Sequence, residues 1–188
     1  MNTPAEVVVD GVDFTKATKG YNDLEINLKS RPVSDKVTIK NCRFGKGNTN
    51  NSISIFGMPE GGVINIENCD FVLSGKSEAV RISNKLDSHQ FTINVKDCNY
   101  NYPDGFIGHK EYIGFFLFED CTTTKAPDTA KQFSGLKINC DNVTYNGTKV
   151  QEVGVGTRTV GKQFACMCYD NGTLSVTDES HFPTFTFK

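Results

Sequence analysis

The chain has 188 residues, a formal net charge of −2 and seven cysteines. This length suits one domain, and we expect a single domain over residues 1–188. The near-neutral charge offers no basic surface for nucleic acid, and no apolar run is long enough to cross a bilayer. Residues 1–6 lack the charged and apolar regions of a secretory signal. We therefore expect no nucleic-acid or membrane partner and a protein that folds in the cytoplasm.

Taken in chain order, the main feature is a repeated octet. It reads apolar, any, apolar, polar, Asn/Asp/Gly, Cys/Val, any, aromatic or Thr. The copies begin at Val7, Val37, Ile64, Ile93, Phe116 and Ile138, with a degenerate seventh from Leu174. Neighbouring sixth positions lie 30, 27, 29, 23 and 22 residues apart. Alternation at the first and third positions predicts a strand with one face inward.

The fifth octet position predicts a tight bend, because Gly, Asn and Asp best tolerate left-handed backbone angles. These residues, which we expect to stack as a turn ladder, are Gly11, Asn41, Asn68, Asp97, Asp120 and Asn142. The sixth position points inward again and predicts an interior ladder of Val12, Cys42, Cys69, Cys98, Cys121 and Val143. The cysteines are then reduced core residues.

A third strand fits between successive octets, with candidates at residues 24–28, 53–57, 79–82 and 105–108. Gly-rich and polar segments supply the turns between the strands. The sequence contains no amphipathic helix with a plausible cap. The chain is therefore predicted to be all-β, with a terminal segment at residues 1–6, coils over 7–180 and an arm or cap at 181–188.

The octets resemble those of the right-handed parallel β-helix superfamily typified by pectate lyases, whose tight turn carries an asparagine ladder. The resemblance covers roughly residues 7–145 and extends more weakly to 180. It implies a single-stranded right-handed parallel β-helix of about six to seven coils. It is specific for the fold and says little about a reaction.

Enzymes of this superfamily cut or eliminate acidic polysaccharides, but their motifs are poorly matched here. The nearest echoes of polygalacturonase-like motifs, Gly108-His109-Lys110 and Arg81-Ile82-Ser83, are in the wrong order and lack the paired aspartates. A lyase needs an acidic calcium cluster and a base. Glu25, Glu78 and Arg81 lie near third strands, where they are more simply solvated residues. We expect no catalytic residue.

The remaining candidates for chemistry are the histidines and one cysteine pair. The histidines, His89, His109 and His181, are far apart and share no motif. Cys166 and Cys168 would point to one face of a strand, but no second Cys/His pair accompanies them. We therefore predict no metal and no cofactor.

The two ends of a β-helix carry unpaired backbone groups that monomers normally cap. Six residues precede the first octet, too few for a capping helix, so we expect another subunit or a larger particle to cover the first coil. Residues 181–188 alternate aromatic and polar residues. They predict either a strand packed across the last coil or an assembly arm, with Phe182, Phe185 and Phe187, that adds to a neighbour.

Short β-helices without catalytic motifs are similar to bacteriophage virion proteins such as head fibres, capsid-decorating proteins and tailspike or tail-fibre segments, often homotrimers. The resemblance implies a structural virion component, assembled in the host cytoplasm, whose partners are other virion proteins or its own copies. The alternative is a polysaccharide-binding or polysaccharide-degrading β-helix protein, a lyase or hydrolase, with a surface glycan as its ligand.

Overall fold

The computed structural model describes residues 6–17, 22–28, 34–45, 51–73, 79–84, 90–101, 114–120, 135–151, 155–157, 163–167 and 184–188. All regular structure in these ranges is β-strand, and they contain no helix. The fold of the described chain is therefore all-β, as the sequence predicts.

The described ranges contain seventeen strands. Their bounds are β1 Val7–Asp10, β2 Asn22–Asn27, β3 Lys36–Lys40, β4 Arg43–Phe44, β5 Asn51–Phe56, β6 Val63–Glu67, β7 Asp70–Val72, β8 Val80–Asn84, β9 Thr92–Lys96, β10 Asn99–Asn101, β11 Gly114–Asp120, β12 Lys137–Asp141, β13 Thr144–Tyr145, β14 Thr148–Lys149, β15 Val155–Thr157, β16 Gln163–Met167 and β17 Thr184–Phe187.

Sheet A is entirely parallel and has the order β1-β3-β6-β9-β12-β17. Its first five strands are the front halves of octets, and their equivalent positions pair in register. Val7 pairs with Val37, and Ile64 pairs with Ile93. The alternation of apolar and polar residues explains this register, because a slip of one residue would turn every Val and Ile outward.

Sheet B is built from the second halves of the octets, in the order β4-β7-β10-β13-β14. Its first four strands are parallel, and an isolated bridge from Asp13 to Arg43 adds the first octet. The last strand, β14, is antiparallel to β13. It follows a two-residue turn in which Asn146 and Gly147 have φ of 45° and 80°, as a type I′ hairpin requires.

Sheet C contains the third strands and has the order β2-β5-β8-β11-β16-β15. The predicted third strands at 24–28, 53–57 and 79–82 overlap β2, β5 and β8, while the candidate at 105–108 lies outside the described residues. Strands β2, β5, β8 and β11 are parallel. Strands β16 and β15 close the sheet with antiparallel pairing.

One octet is not where the sequence places it. The segment from Phe116 forms β11 in sheet C, where Asp120 pairs with Asn84, so the predicted tight bend at Asp120 is wrong. Strand β9 pairs directly with β12, and the two expected intervals of 23 and 22 residues become one interval of 45. An alternating apolar pattern fits any half-buried strand, so it does not distinguish sheet A from sheet C. Cys121 lies outside the described residues.

The three sheets each have six levels in the described chain, counting the bridge at Asp13 in sheet B. The last level consists of β17, β14 and β15. Residues from all three sheets share one buried core. Within it, the rings of Phe14, Phe44, Phe71 and Tyr100 stack at centroid separations of 5.1, 4.9 and 4.6 Å.

Candidate assembly surface

The turn ladder is a row of left-handed residues at the edge between sheets A and B. Positive φ angles of 70°, 55°, 48°, 51° and 50° occur at Gly11, Asn41, Asn68, Asp97 and Asn142, in that order. The backbone N–H of each of these residues donates to a carbonyl oxygen of the next level. The bend therefore uses its own amide to tie adjacent levels together.

The side chains of this ladder hydrogen-bond in one direction. Asn41 Nδ2 donates to Asp10 Oδ1, and Asn68 Nδ2 donates to Asn41 Oδ1, both at 2.7 Å. Asn142 Nδ2 donates to Asp97 Oδ1 at the same distance. An ionised Asp97 has no N–H to offer Asn68, so the run is interrupted between these two described residues. The hydrogen bond from Asn41 lowers the pKa of Asp10.

The interior ladder follows the prediction at Cys42, Cys69, Cys98 and Val143, all of which are buried. The three cysteines among them are free thiols, as is Cys140, a third-position residue. Burial raises the pKa of Cys42, and it raises the pKa of Cys140 to about 12. Thiolates at these two positions are therefore scarce at neutral pH, and both residues act as core rather than as nucleophiles.

Val12 is a correction to the interior ladder. It is 38% exposed, whereas Cys42 one level away is 1% exposed. Val12 lies in the first level, and no described strand covers it from outside. Its position in the octet is the expected one, but the burial of this position depends on a neighbour on both sides.

A second amide column runs along the outer face of sheet A, and the sequence analysis missed it. It occupies the second octet position, with Thr38, Asn65, Asn94 and Asn139 in neighbouring strands. Asn139 donates to Asn94, and Asn94 to Asn65, each at 2.8 Å. Asn65 then donates to Thr38 Oγ1 at 3.2 Å.

This column ends on a carboxylate at the first level. The Thr38 hydroxyl donates to Glu6 Oε1, and this bond lowers the pKa of Glu6. Lys36 Nζ lies 3.3 Å from the same carboxylate. Both amide columns therefore donate toward the first level and terminate on an acid there, Glu6 in one and Asp10 in the other.

A charged column at the fourth octet position was also missed. Its members alternate in sign along the stack: Asp10, Lys40, Glu67, Lys96, Asp141 and Lys188. Lys40 Nζ lies 3.4 Å from Asp10 Oδ2. The other pairs are held beside each other by strand register, about 4.8 Å apart at the backbone.

The two columns border a groove of about 370 Å³ on the outer face of sheet A. Its lining includes Asn94, Asn139 and Thr186 on one side and Lys96, Asp141 and Lys188 on the other. The groove therefore contains many hydrogen-bonding groups, and its positive and negative side chains balance.

The structure brings two of the dismissed catalytic candidates into one row. Glu25 and Arg81 pair with Ser54 from opposite sides in sheet C. Ser54 is 0% exposed, so a substrate does not reach its hydroxyl. The Arg81 guanidinium carbon lies 5.4 Å from the centroid of the Phe56 ring.

The other candidates are not brought together by the described structure. Cys166 lies in β16. The remaining five candidates lie outside the described residues: Glu78, His89, His109, Cys168 and His181. The described residues contain no cluster of three or more His, Cys, Asp or Glu side chains suited to a metal ion. No described helix is long and apolar enough to cross a membrane.

The two ends of the stack differ from its middle in how well the apolar core is covered. Among the described residues, six hydrophobic side chains that pack on the core are only partly buried, and all six lie in the first or last level: Val7, Val9, Phe14, Leu24, Phe185 and Phe187. Val8 and Val12, also in the first level, are exposed. We define these eight residues as the end surfaces.

The predicted assembly arm is in part a strand of the chain's own sheet. Strand β17 adds in parallel to β12, with Phe185 opposite Ile138 and Phe187 opposite Cys140. Lys188 completes the octet pattern, because its carbonyl accepts from Asn142 as Lys40 accepts from Gly11. Phe182 lies outside the described residues, as does the predicted seventh octet from Leu174.

Comparison with models of known families, with curated proteins and with solved structures gave no match.

Proposed function

We propose that this chain is a structural protein that winds as a right-handed parallel β-helix and acts through protein–protein assembly, as a component of a bacteriophage virion. The observation that carries the proposal is the state of the end surfaces. In sheet A the apolar columns are buried at the described middle levels, whereas their members in the first and last levels, Val7, Val9, Phe185 and Phe187, are only partly buried.

Partly buried apolar residues, and strand edges with which no other described strand pairs, favour association with another protein surface. Val8 is 52% exposed on the edge strand β1, and edge strands of this kind are usually protected by charge, proline or a covering segment. The β-helical winding is supported by three sheets whose strands follow each other in the same cyclic order through the first levels. The placement in a virion rests on the resemblance of short non-enzymatic β-helices to virion proteins.

The proposal is tested at two levels. Light scattering after size exclusion, over a hundredfold range of concentration, should give a mass above that of one 20.8 kDa chain. Particles purified from the phage or prophage that encodes the chain should contain it in a fixed ratio to the capsid protein. A monomer at every concentration, together with its absence from such particles, would refute the assembly role.

The groove on sheet A favours a second candidate, a polysaccharide-binding protein of the same fold. Rows of amide donors and acceptors beside charged groups suit the hydroxyl and carboxylate groups of a sugar chain. Binding to a panel of acidic polysaccharides, measured with and without calcium, would support this candidate if Asn94→Ala or Lys96→Ala weakened it. Release of products that Arg81→Ala abolished would instead indicate an enzyme.

A further inference from the structure

The two edge strands of sheet A point complementary backbone groups outward. Lys188 N–H donates back to Cys140, while the N–H groups of the bend residues donate forward to the next level. The N–H and C=O groups of successive residues in a strand point to opposite sides of that strand. The N–H groups of Val8 and Asp10 therefore face the side of β1 with which no described strand pairs, and those of Phe185 and Phe187 face the corresponding side of β17; we call these the open sides.

The side chains at the two edges also continue each other's columns. If β1 of a second chain lay beside β17, its Val7 would stack on Phe185 at the first octet position, and its Val9 would stack on Phe187 at the third. All four are half-buried in the single chain. A parallel strand laid on either edge in this register would complete two apolar columns at once.

The charged column supplies the specificity. It begins with Asp10 and ends with Lys188, so its alternation of sign continues without a break if β1 of a second chain follows β17. Two β1 edges or two β17 edges can meet with their outer faces aligned only in antiparallel orientation, which breaks the alternation of the charged column. Charge therefore favours a head-to-tail junction over a symmetric one.

We infer that a second copy of this chain binds at the β17 edge, with its β1 strand extending sheet A in parallel and in octet register. This inference rests on the proposed assembly function and names its partner. The contact joins two different surfaces and leaves one of each free, so it repeats and produces a linear stack rather than a closed ring.

The test is a charge exchange between two variants, Lys188→Glu and Asp10→Lys. Each variant alone presents like charges at the junction, and its association constant should fall roughly five- to tenfold relative to the unmodified chain. In an equal mixture, every junction between a chain of one variant and a chain of the other again brings opposite charges together, so sedimentation velocity should show association restored. Addition of 1 M salt should bring the association constants of the single variants closer to that of the unmodified chain, because salt screens exposed charges.

Asp10→Lys also removes contacts with Asn41 and Lys40, so a further variant tests the inference without a change of charge. Val8→Pro deletes an N–H that faces the open edge and leaves the bonds between β1 and β3. It should abolish concentration-dependent association while the thermal midpoint stays within a few degrees.

The outcomes separate this inference from the proposed function. A stable oligomer whose mass is unchanged by all three variants would overturn the head-to-tail junction and leave the assembly role standing. A monomer of the unmodified chain at every concentration would overturn the junction, and its absence from purified particles as well would overturn the assembly role. Association that Val8→Pro abolishes, that each charge variant weakens when alone, and that is regained in the mixture of the two charge variants would support the junction.

Discussion

The interruption of the turn ladder at Asp97 predicts that one substitution stabilises the protein. Asn68 donates to Asn41, but its own Oδ1 faces a residue that, when ionised, has only acceptors. In Asp97→Asn, the new Nδ2 can donate to Asn68 Oδ1, while the new Oδ1 still accepts from Asn142, which now donates to Asp97 at 2.7 Å. The backbone needs no adjustment, since Asn already occupies this conformation at Asn41, Asn68 and Asn142.

The expected gain is small and positive. A hydrogen bond contributes about 0.5–1.5 kcal/mol, and the exposed position favours the lower part of that range. The bond accepted from Asn142 loses its charge assistance, which offsets part of the gain. We expect the free energy of unfolding to rise by about 0.5–1 kcal/mol, with a thermal midpoint higher by roughly 1–4 °C.

Equilibrium urea unfolding at neutral pH measures this change, with an unaltered m-value showing that the transition itself is the same. The matched control is Asn68→Asp, which removes the donation to Asn41 and sets a second carboxylate beside Asp97. It should cost about 1 kcal/mol or more. If Asp97→Asn left stability unchanged or lowered it, the ladder would not be a cooperating set of side-chain bonds.

The polar columns and the buried thiols lead to three further predictions. Asn94→Ala breaks two bonds in a partly buried column and should cost about 1–3 kcal/mol in urea unfolding, whereas Thr92→Ala on the same strand should cost less. The pKa values of Glu6 and Asp10 are lowered in the folded state, so their contribution to the free energy of unfolding is complete above the ordinary carboxyl pKa of about 4 and is lost as the pH falls below it. The double variant Glu6→Gln with Asp10→Asn should flatten that part of the stability–pH curve. Cys140 should resist iodoacetamide at pH 8 until the chain unfolds, and rapid labelling seen by peptide mapping would contradict its burial.

The sequence predicts the bends well because their requirement is local. Left-handed backbone angles favour Gly, Asn and Asp whatever surrounds the residue, and these types occur at Gly11, Asn41 and Asn68. The apolar alternation of the same octets then fixes which face is inward. These two local signals were enough to align the strands of sheet A up to Ile93 and again at Ile138.

The error at Phe116 arises because apolar alternation is shared by sheets A and C. The outward octet positions, the second and the fourth, show that the Phe116 segment does not belong to sheet A. Leu117 interrupts a run of Asn at the second octet position, and Glu119 falls between Lys96 and Asp141 at the fourth. Without the Phe116 octet, the asparagine run is continuous and the charges alternate strictly.

The end surfaces could not be predicted from residue types. Val12 occupies the same octet position as Cys42, yet one is exposed and the other buried. Burial of a column depends on the levels above and below, which is a property of the stack and not of the octet. The same holds for β17, whose place beside β12 follows from pairing across an interval of 47 residues, from Lys137 to Thr184.

The outward columns also explain how the order of levels is specified. The inward columns are nearly uniform in Val and Ile, so they fix the face of each strand but accept almost any order of strands. The charged column, in contrast, favours one order of strands. If β3 were to skip a level and pair with β9, Lys40 would lie beside Lys96, and β6 beside β12 would bring Glu67 next to Asp141. Each such skip replaces an attraction with a repulsion of like charges. The amide columns add direction, because every Asn in them donates toward the first level and each run ends there on a carboxylate, a side chain with acceptors only. Hydrophobic positions thus decide that the strands stack, and the polar positions decide which strand follows which.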